Sequence, residues 1–254
     1  MAEIQQIGSI PHRRHGASIG QPLTRRDALL KVTGQARYAA DNHPRGVLHA
    51  ALAMSTIARG RVTFLDVAAA KAHAGVVEVM TPANRPPLAL DPDAKLHQFM
   101  FRLDLLQNDR VRYAGQPIAL VIAETLEAAT EGAVLLSPRY DVGRARIGLE
   151  SNDSFIPPAI GVGSPSEVHH GDVEAGLTAA QCRIEAIYET PAQYHNPMEP
   201  HAIVAEWEGD RLAVDTPSQG LAWARERIAG LLGIPEESIH IRSPFLGGGF
   251  GDRL

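Results

Sequence analysis

Val111-Arg112-Tyr113-Ala114-Gly115-Gln116-Pro117-Ile118-Ala119-Leu120-Val121-Ile122-Ala123-Glu124-Thr125 is the stretch that decides the fold. Residues 111–113 start a strand, Gly115-Gln116-Pro117 makes a turn, and residues 118–123 form a second apolar strand. Thr125 is placed to cap a helix carrying Ala128, Ala129 and Ala133. A similar unit precedes it. Residues 47–54 are an apolar run that reads as a strand, and Asp66 can cap a short Ala-rich helix over residues 67–73. Gly75 suits the left-handed position that ends that helix, and Val76-Val77-Glu78-Val79-Met80 is a β-branched strand. Strands and helices mixed without a regular parallel alternation make the fold class α+β.

The flanks of these units set the domain plan. Residues 1 to about 23 hold Gly, Pro, His and Arg without periodicity and read as an extended arm. Residues 81–108 are loop-rich, with Pro82, Pro86, Pro87 and Pro92. Residues 137–170 carry Pro138, Pro157, Pro158, Pro165 and four glycines, the composition of an interdomain linker. A second domain begins near His170-Gly171-Asp172-Val173. In it, residues 173–180 read as a short helix and residues 182–188 as an alternating strand. Residues 202–207 and 211–214 flank the hairpin signal Gly209-Asp210. Leu221, Ala224, Ile228 and Leu231 or Leu232 recur at helical spacing, closed by Gly233 with Pro235 beyond. Ile239-His240-Ile241 is a strand that runs into Gly247-Gly248-Gly249-Phe250-Gly251.

Bulk properties narrow the function. The 254 residues are 44% apolar and 21% charged, with a net charge of −5. That is globular composition, enough for one large domain or two ordinary ones. No basic face with interleaved aromatics exists, so nucleic-acid binding has no support. The single cysteine, Cys182, cannot assemble an iron–sulfur cluster, which needs about four thiolates; it reads as a small buried apolar residue. No apolar run reaches the roughly 20 residues that span a bilayer. Arg25-Arg26 superficially resembles a twin-arginine export signal, but polar, turn-rich sequence follows where an apolar region is required. The expected location is cytoplasmic, or periplasmic by export with a partner subunit.

Local motifs divide into one informative signal and several decoys. Glycines after a strand let backbone N–H groups approach an anionic or oxo-rich ligand closely. By itself the run is also compatible with a tight turn or bulge. It is not a dinucleotide fingerprint, since the spacing is G-G-G-F-G and Phe250 brings bulk where a helix should start. His195-Asn196-Pro197-Met198-Glu199-Pro200-His201 contains two histidines and a carboxylate, but its prolines forbid the helical spacing of zinc hydrolases. A rigid extended turn between strands is the preferred reading, with Glu199 structural. His169-His170 reads as a polar linker pair. Gly16-Ala17-Ser18-Ile19-Gly20 spells a nucleophile elbow without the strand and helix that an elbow needs.

Several segments together resemble one family. Arg26-Asp27-Ala28-Leu29-Leu30-Lys31-Val32-Thr33-Gly34-Gln35-Ala36-Arg37-Tyr38 is similar to the opening of the large subunit of xanthine dehydrogenase/aldehyde oxidase-type enzymes. Residues 111–125 resemble the core of that family's a/b hammerhead domain. Gly171-Asp172-Val173-Glu174-Ala175 and Asn196-Pro197-Met198-Glu199-Pro200-His201 resemble the start of its molybdopterin-binding domain. Thr216-Pro217-Ser218-Gln219-Gly220 and Phe245-Leu246-Gly247-Gly248-Gly249-Phe250-Gly251 resemble two cofactor-binding segments. The matches run in family order over residues 25–254.

The resemblance implies an arm (1–24), an a/b hammerhead domain (25–140), a linker (141–168) and an incomplete molybdopterin-binding domain (169–254). It implies a molybdopterin-type molybdenum cofactor that hydroxylates an aldehyde or N-heterocycle carbon with water as oxygen source. Electrons would pass to [2Fe-2S] and FAD centres on an iron–sulfur subunit and an FAD subunit. Gln219 would hydrogen-bond a molybdenum oxygen ligand, and the backbone around Gly248, Gly249, Phe250 and Gly251 would face the oxo group, as in an oxyanion hole. Gln219 could instead cap the helix that follows it. No catalytic residue and no metal ligand is assigned within this chain. The family's general-base glutamate is expected beyond Leu254, in a C-terminal remainder of the subunit, so the isolated chain is expected to be inactive. Two alternatives stand beside this: half of a split enzyme completed by a separate chain, and a non-catalytic partner-binding fragment. Asp252-Arg253 replaces the family's more usual Gly-Lys, adding negative charge near the metal approach. Leu254 replaces the Glu of purine-oxidising members and leans toward aldehydes.

Overall fold

The structure, a computed structural model, describes residues 20–89, 106–145, 155–160 and 164–253. Residues 16–19 of the Gly16-Ala17-Ser18-Ile19-Gly20 motif, most of the arm, the centre of the 81–108 loop and Leu254 lie outside the described residues, as does part of the 141–168 linker.

The first domain is organised around one strand that is buried on both sides. After a short helix α1 (Ala28–Val32) come β1 (His49–Met54), β2 (Gly60–Asp66), α2 (Ala68–Ala72), β3 (Val76–Met80), β4 (Arg110–Val111), β5 (Pro117–Ala123), α3 (Leu126–Val134) and β6 (Ser137–Val142). β5 sits between β1 and β3, antiparallel to both. Its Ala119, Val121 and Ala123 are wholly buried, with Val79, Ala70 and Ala129. This accounts for the uninterrupted apolar run: a central strand covered on both faces has no reason to alternate. Thr125 accepts a hydrogen bond from the Ala128 N–H at 3.1 Å and caps α3. Gly132 lets α3 lie close to the sheet, since a Cβ there would be 2.9 Å from Val121 Cγ1. Gln116, buried in the turn, accepts from the Arg112 N–H and donates to the Arg110 carbonyl, each at 2.7 Å.

A second antiparallel sheet, β4-β2-β6, was not legible in the sequence. β6 occupies 137–142, inside the Pro- and Gly-rich stretch read as linker. Pro138 is tolerated there because this is an edge strand paired only with β2. The strand expected at 111–113 is confined to Arg110–Val111. The helix expected over 67–73 covers Ala68–Ala72, with Asp66 Oδ1 accepting from the Ala68 N–H at 3.0 Å. Gly75 has the expected positive φ of 85°.

Beyond a two-strand pairing of β7 (Ala159–Ile160) with β8 (Ser164–Pro165), α4 (Val173–Ala179) starts at Asp172, whose side chain caps the Ala175 N–H. The strand expected over residues 182–188 does not form. No described strand pairs with it, and Ile184, Ile187 and Tyr188 are about nine-tenths exposed. Cys182 is exposed rather than buried, for the same reason. The second sheet system is small. β9 (Val204–Glu208) and β10 (Arg211–Asp215) form the expected hairpin, and α5 (Leu221–Leu232) crosses over to β11 (Ile239–Arg242), parallel to β10. Leu212, Val214, Ala229 and Ile239 make its core. Gly233 ends α5 with φ 69°. Tyr38 and Phe245 rings meet at 5.9 Å, and the Ala89 N–H bonds the Leu231 carbonyl at 2.9 Å, joining the two parts.

Candidate cofactor-binding site

Two parallel neighbours, β10 and β11, end side by side, and the loops leaving their carboxyl ends carry the candidate residues. That edge is where ligands of parallel sheets ordinarily bind. The loop after β10 holds Thr216-Pro217-Ser218-Gln219; the loop after β11 leads to Gly247-Gly248-Gly249-Phe250-Gly251. The two are tied at the base. Asp215 is buried and forms a two-point ion pair with the exposed Arg242 through Nε and Nη2. Donating these hydrogen bonds to the Asp215 carboxylate raises the Arg242 pKa above its ordinary value against the opposing effect of burial. The Thr216 N–H donates to the Arg242 carbonyl at 3.1 Å, and the Ser218 N–H to Ser243 Oγ at 3.3 Å.

The structure brings together every residue expected at the site. Gln219 Oε1 accepts from the Gly251 N–H at 3.0 Å. Gly249 is buried directly beneath the amide, and a Cβ on it would overlap Gln219 Cδ and Oε1. Gly248, Phe250 and Gly251 all have positive φ, at 101°, 54° and 94°. For Phe250 this is a strained backbone, worth about 1–3 kcal/mol, and the residue is 73% exposed. Gln219 is not the helix cap: Gly220 occupies the cap position of α5, and its N–H is taken by Ser218 Oγ at 3.1 Å. With its oxygen engaged, Gln219 keeps its amide Nε2 as a donor that no described residue uses. A neutral side-chain donor beside a cradle without Cβ atoms suits a partly anionic, oxygen-rich ligand.

Sequence reasoning missed how the neighbouring loops converge. His195 Nδ1 and His201 Nε2 lie 3.6 and 2.9 Å from the Asp252 carboxylate. Among the described residues, no group of His, Cys, Asp or Glu side chains is arranged to hold a metal ion. Glu199, read as structural, pairs with Arg253 at 2.9 Å and is buried. No local signal could have paired residues 54 positions apart.

Comparison with known proteins follows the same order along the chain. Residues 33–143 match the family described as "Aldehyde oxidase and xanthine dehydrogenase, a/b hammerhead domain". Residues 158–254 match the "Molybdopterin cofactor-binding domain". The aldehyde oxidoreductase molybdenum-binding subunit PaoC of Escherichia coli is 35% identical over 240 residues, 93% of this chain and 31% of that subunit. The nicotine 6-hydroxylase large subunit of Paenarthrobacter nicotinovorans is 29% identical, covering 92% of this chain and 30% of its own length. The chain therefore spans about three-tenths of these relatives. The crystal structure of quinoline 2-oxidoreductase from Pseudomonas putida 86 superposes with a TM-score of 0.75 at 26% identity, over 93% of this chain and 31% of that one. No described helix is long and apolar enough to cross a membrane. With a hammerhead domain followed by a molybdopterin-binding domain, and relatives of both kinds along nearly its whole length, this chain belongs to the xanthine dehydrogenase/aldehyde oxidase family of molybdopterin-binding large subunits.

Proposed function

We propose that this chain supplies one wall of the molybdenum-cofactor site in an enzyme that hydroxylates aldehydes, with N-heterocycles as the second substrate class. The carrying observation is the junction of Gln219 with the glycine loop: the Gly251 N–H on Gln219 Oε1 at 3.0 Å, over a Gly249 that tolerates no Cβ. The residues fit the cofactor. Its oxygen-rich, partly anionic face needs neutral hydrogen-bond donors in a confined space; Gln219 Nε2 and the backbone N–H groups of Gly248, Gly249 and Phe250 offer them, while the Gly251 N–H holds Gln219 in place.

When bound, the molybdopterin-type molybdenum cofactor supplies the two-electron oxidation of the substrate carbon, with water as oxygen source. The chain's own residues orient it. Gln219 presents its amide N–H, the glycines allow close backbone approach, and Phe250 stands exposed beside them as an apolar surface. Aldehydes are favoured over heterocycles because the 35% relative is named an aldehyde oxidoreductase subunit, against 29% for the nicotine hydroxylase. Electrons would pass to [2Fe-2S] and FAD centres on partner subunits; Cys182, the single cysteine of these 254 residues, cannot bind a cluster by itself. The proton-abstracting glutamate comes from the remainder of the large subunit. The described stretch from 182 to 198 is exposed and apolar at several positions, which favours this chain working only when joined to more protein.

The test is molybdenum content and turnover. The assembled enzyme should hold stoichiometric molybdenum and oxidise aldehydes faster than N-heterocycles, while the 254-residue chain alone turns over neither. Turnover by the pure chain, or an assembled enzyme without molybdenum, would contradict the proposal.

A further inference from the structure

Glu199 and Arg253 are the most deeply buried ion pair among the described residues, with side chains 4% and 1% exposed. Neither touches the face offered to the cofactor. Their hydrogen bonds nevertheless reach the start of the glycine loop at Gly247 and the Gln219 backbone. Glu199 Oε2 accepts from the Gly247 N–H at 2.8 Å and from Arg253 Nη1 at 2.9 Å. The Glu199 N–H donates to the Gly247 carbonyl at 3.1 Å. Arg253 Nη2 donates to the Glu199 carbonyl. The Arg253 carbonyl, in turn, accepts from the Gln219 N–H at 2.8 Å. With the Gly251 N–H on Gln219 Oε1, these contacts form a closed circuit.

We infer that Glu199 and Arg253 are a positioning pair that fixes both ends of the glycine loop and sets Gln219 against it. The inference rests on Gln219 and Gly248–Gly251 holding the cofactor. Burying a charged pair is unfavourable unless hydrogen bonds use its lone pairs and protons; well-packed apolar residues would be at least as stable. Here those bonds are spent on loop backbone. A loop with positive φ at Gly248, Phe250 and Gly251 has little conformational preference of its own and needs such anchors. Gly247 itself is required by the clasp, because a Cβ there would overlap Glu199 Cβ. One carboxylate oxygen, Glu199 Oε1, and one guanidinium nitrogen, Arg253 Nε, have no partner among the described residues. The vacant Oε1 makes Glu199→Gln informative. The amide oxygen can keep both bonds of Oε2, and the NH2 group falls where no bond exists.

The experiment uses the assembled, molybdenum-loaded enzyme containing this chain, with Glu199→Ala, Glu199→Gln, Arg253→Met and Arg253→Lys. It reads melting temperature, amide hydrogen exchange at residues 245–253, molybdenum content, kcat and KM. Glu199→Ala and Arg253→Met should lower kcat by about 10–100-fold, with KM changed much less. Exchange at Gly247 and Gly251 should rise in both. Arg253→Lys, which restores a cation, should recover most of kcat. Glu199→Gln should stay folded, with exchange at Gly247 faster by about fivefold as a charge-assisted bond becomes a neutral one. If Glu199→Ala and Arg253→Met fail to fold, the Gln and Lys variants decide. Exchange at 245–253 and kcat that match wild type in Glu199→Gln, or stability losses without any change at the loop, would overturn the inference. A wild-type enzyme without molybdenum would instead sink the functional reading, while the exchange arm still reported on the clasp.

Discussion

Gln219 and Gly251, 32 residues apart, share a hydrogen bond in which the glycine N–H holds the side-chain carbonyl of the glutamine at 3.0 Å. The bond locks the amide plane and so fixes where its remaining N–H groups aim. Gln219 is exposed at the surface of the described residues, so its removal leaves no cavity. In the assembled enzyme, Gln219→Ala should lower kcat by about 100-fold, the scale for losing one donor to a developing oxyanion. Stability should fall by only about 1 kcal/mol, one net hydrogen bond. Wild-type rates in this variant would remove Gln219 from the site.

Gly249→Ala tests the cradle rather than the donor. The added Cβ would overlap Gln219 Cδ and Oε1 and lie 2.8 Å from Cγ. Because Gly249 is buried, the clash is relieved only by expelling the Gln219 side chain or displacing the loop. Molybdenum content should drop several-fold while circular dichroism stays that of wild type. Full molybdenum loading in Gly249→Ala would show that the close approach is not needed for binding.

What the sequence disclosed follows from which interactions are local. The turn at Gly115-Gln116-Pro117, the Thr125 cap, the Gly233 helix end and the β9–β10 hairpin each rest on residues within a few positions of one another. The candidate loops were legible because glycine runs and Gln219 sit in short motifs. β2 and β6 were not, because their pairing joins residues about 76 positions apart, as in Thr63 Oγ on the Arg139 carbonyl, and Pro138 disguised β6 as linker. The Glu199–Arg253 clasp was hidden for the same reason. Residues 182–188 show the converse: a strand pattern is a capacity to pair, and among the described residues nothing pairs with it.

Helix α3 carries a stability prediction independent of the site. Thr125 caps it through the Ala128 N–H at 3.1 Å, and Ala128 and Ala129 are buried against the central sheet. Thr125→Ala should destabilise the hammerhead part by about 1 kcal/mol, read as a shift in the denaturant midpoint, and Thr125→Ser should restore most of it. An unchanged midpoint in Thr125→Ala would mean that tertiary packing alone holds the first turn.

The stretch from Cys182 to Met198 carries the last prediction. Its backbone N–H groups form no hydrogen bond with other described backbone, and Ile184, Ile187, Tyr188, Tyr194 and Met198 are 80–93% exposed. Cys182, Ile184, Ala186 and Tyr188 would share one face of an extended strand, with Arg183 and Glu185 on the other. An apolar, unpaired edge of this kind invites association. The 254-residue chain alone should therefore bind a hydrophobic dye and aggregate at micromolar concentration, and trypsin should cut it at Arg183. In the assembled enzyme the same bond should be protected, because pairing of this edge removes the extended, accessible backbone that the protease needs. Ile184→Lys with Ile187→Lys should suppress aggregation of the isolated chain while hindering its assembly. A monodisperse isolated chain that resists cleavage at Arg183 would show that the edge is already satisfied.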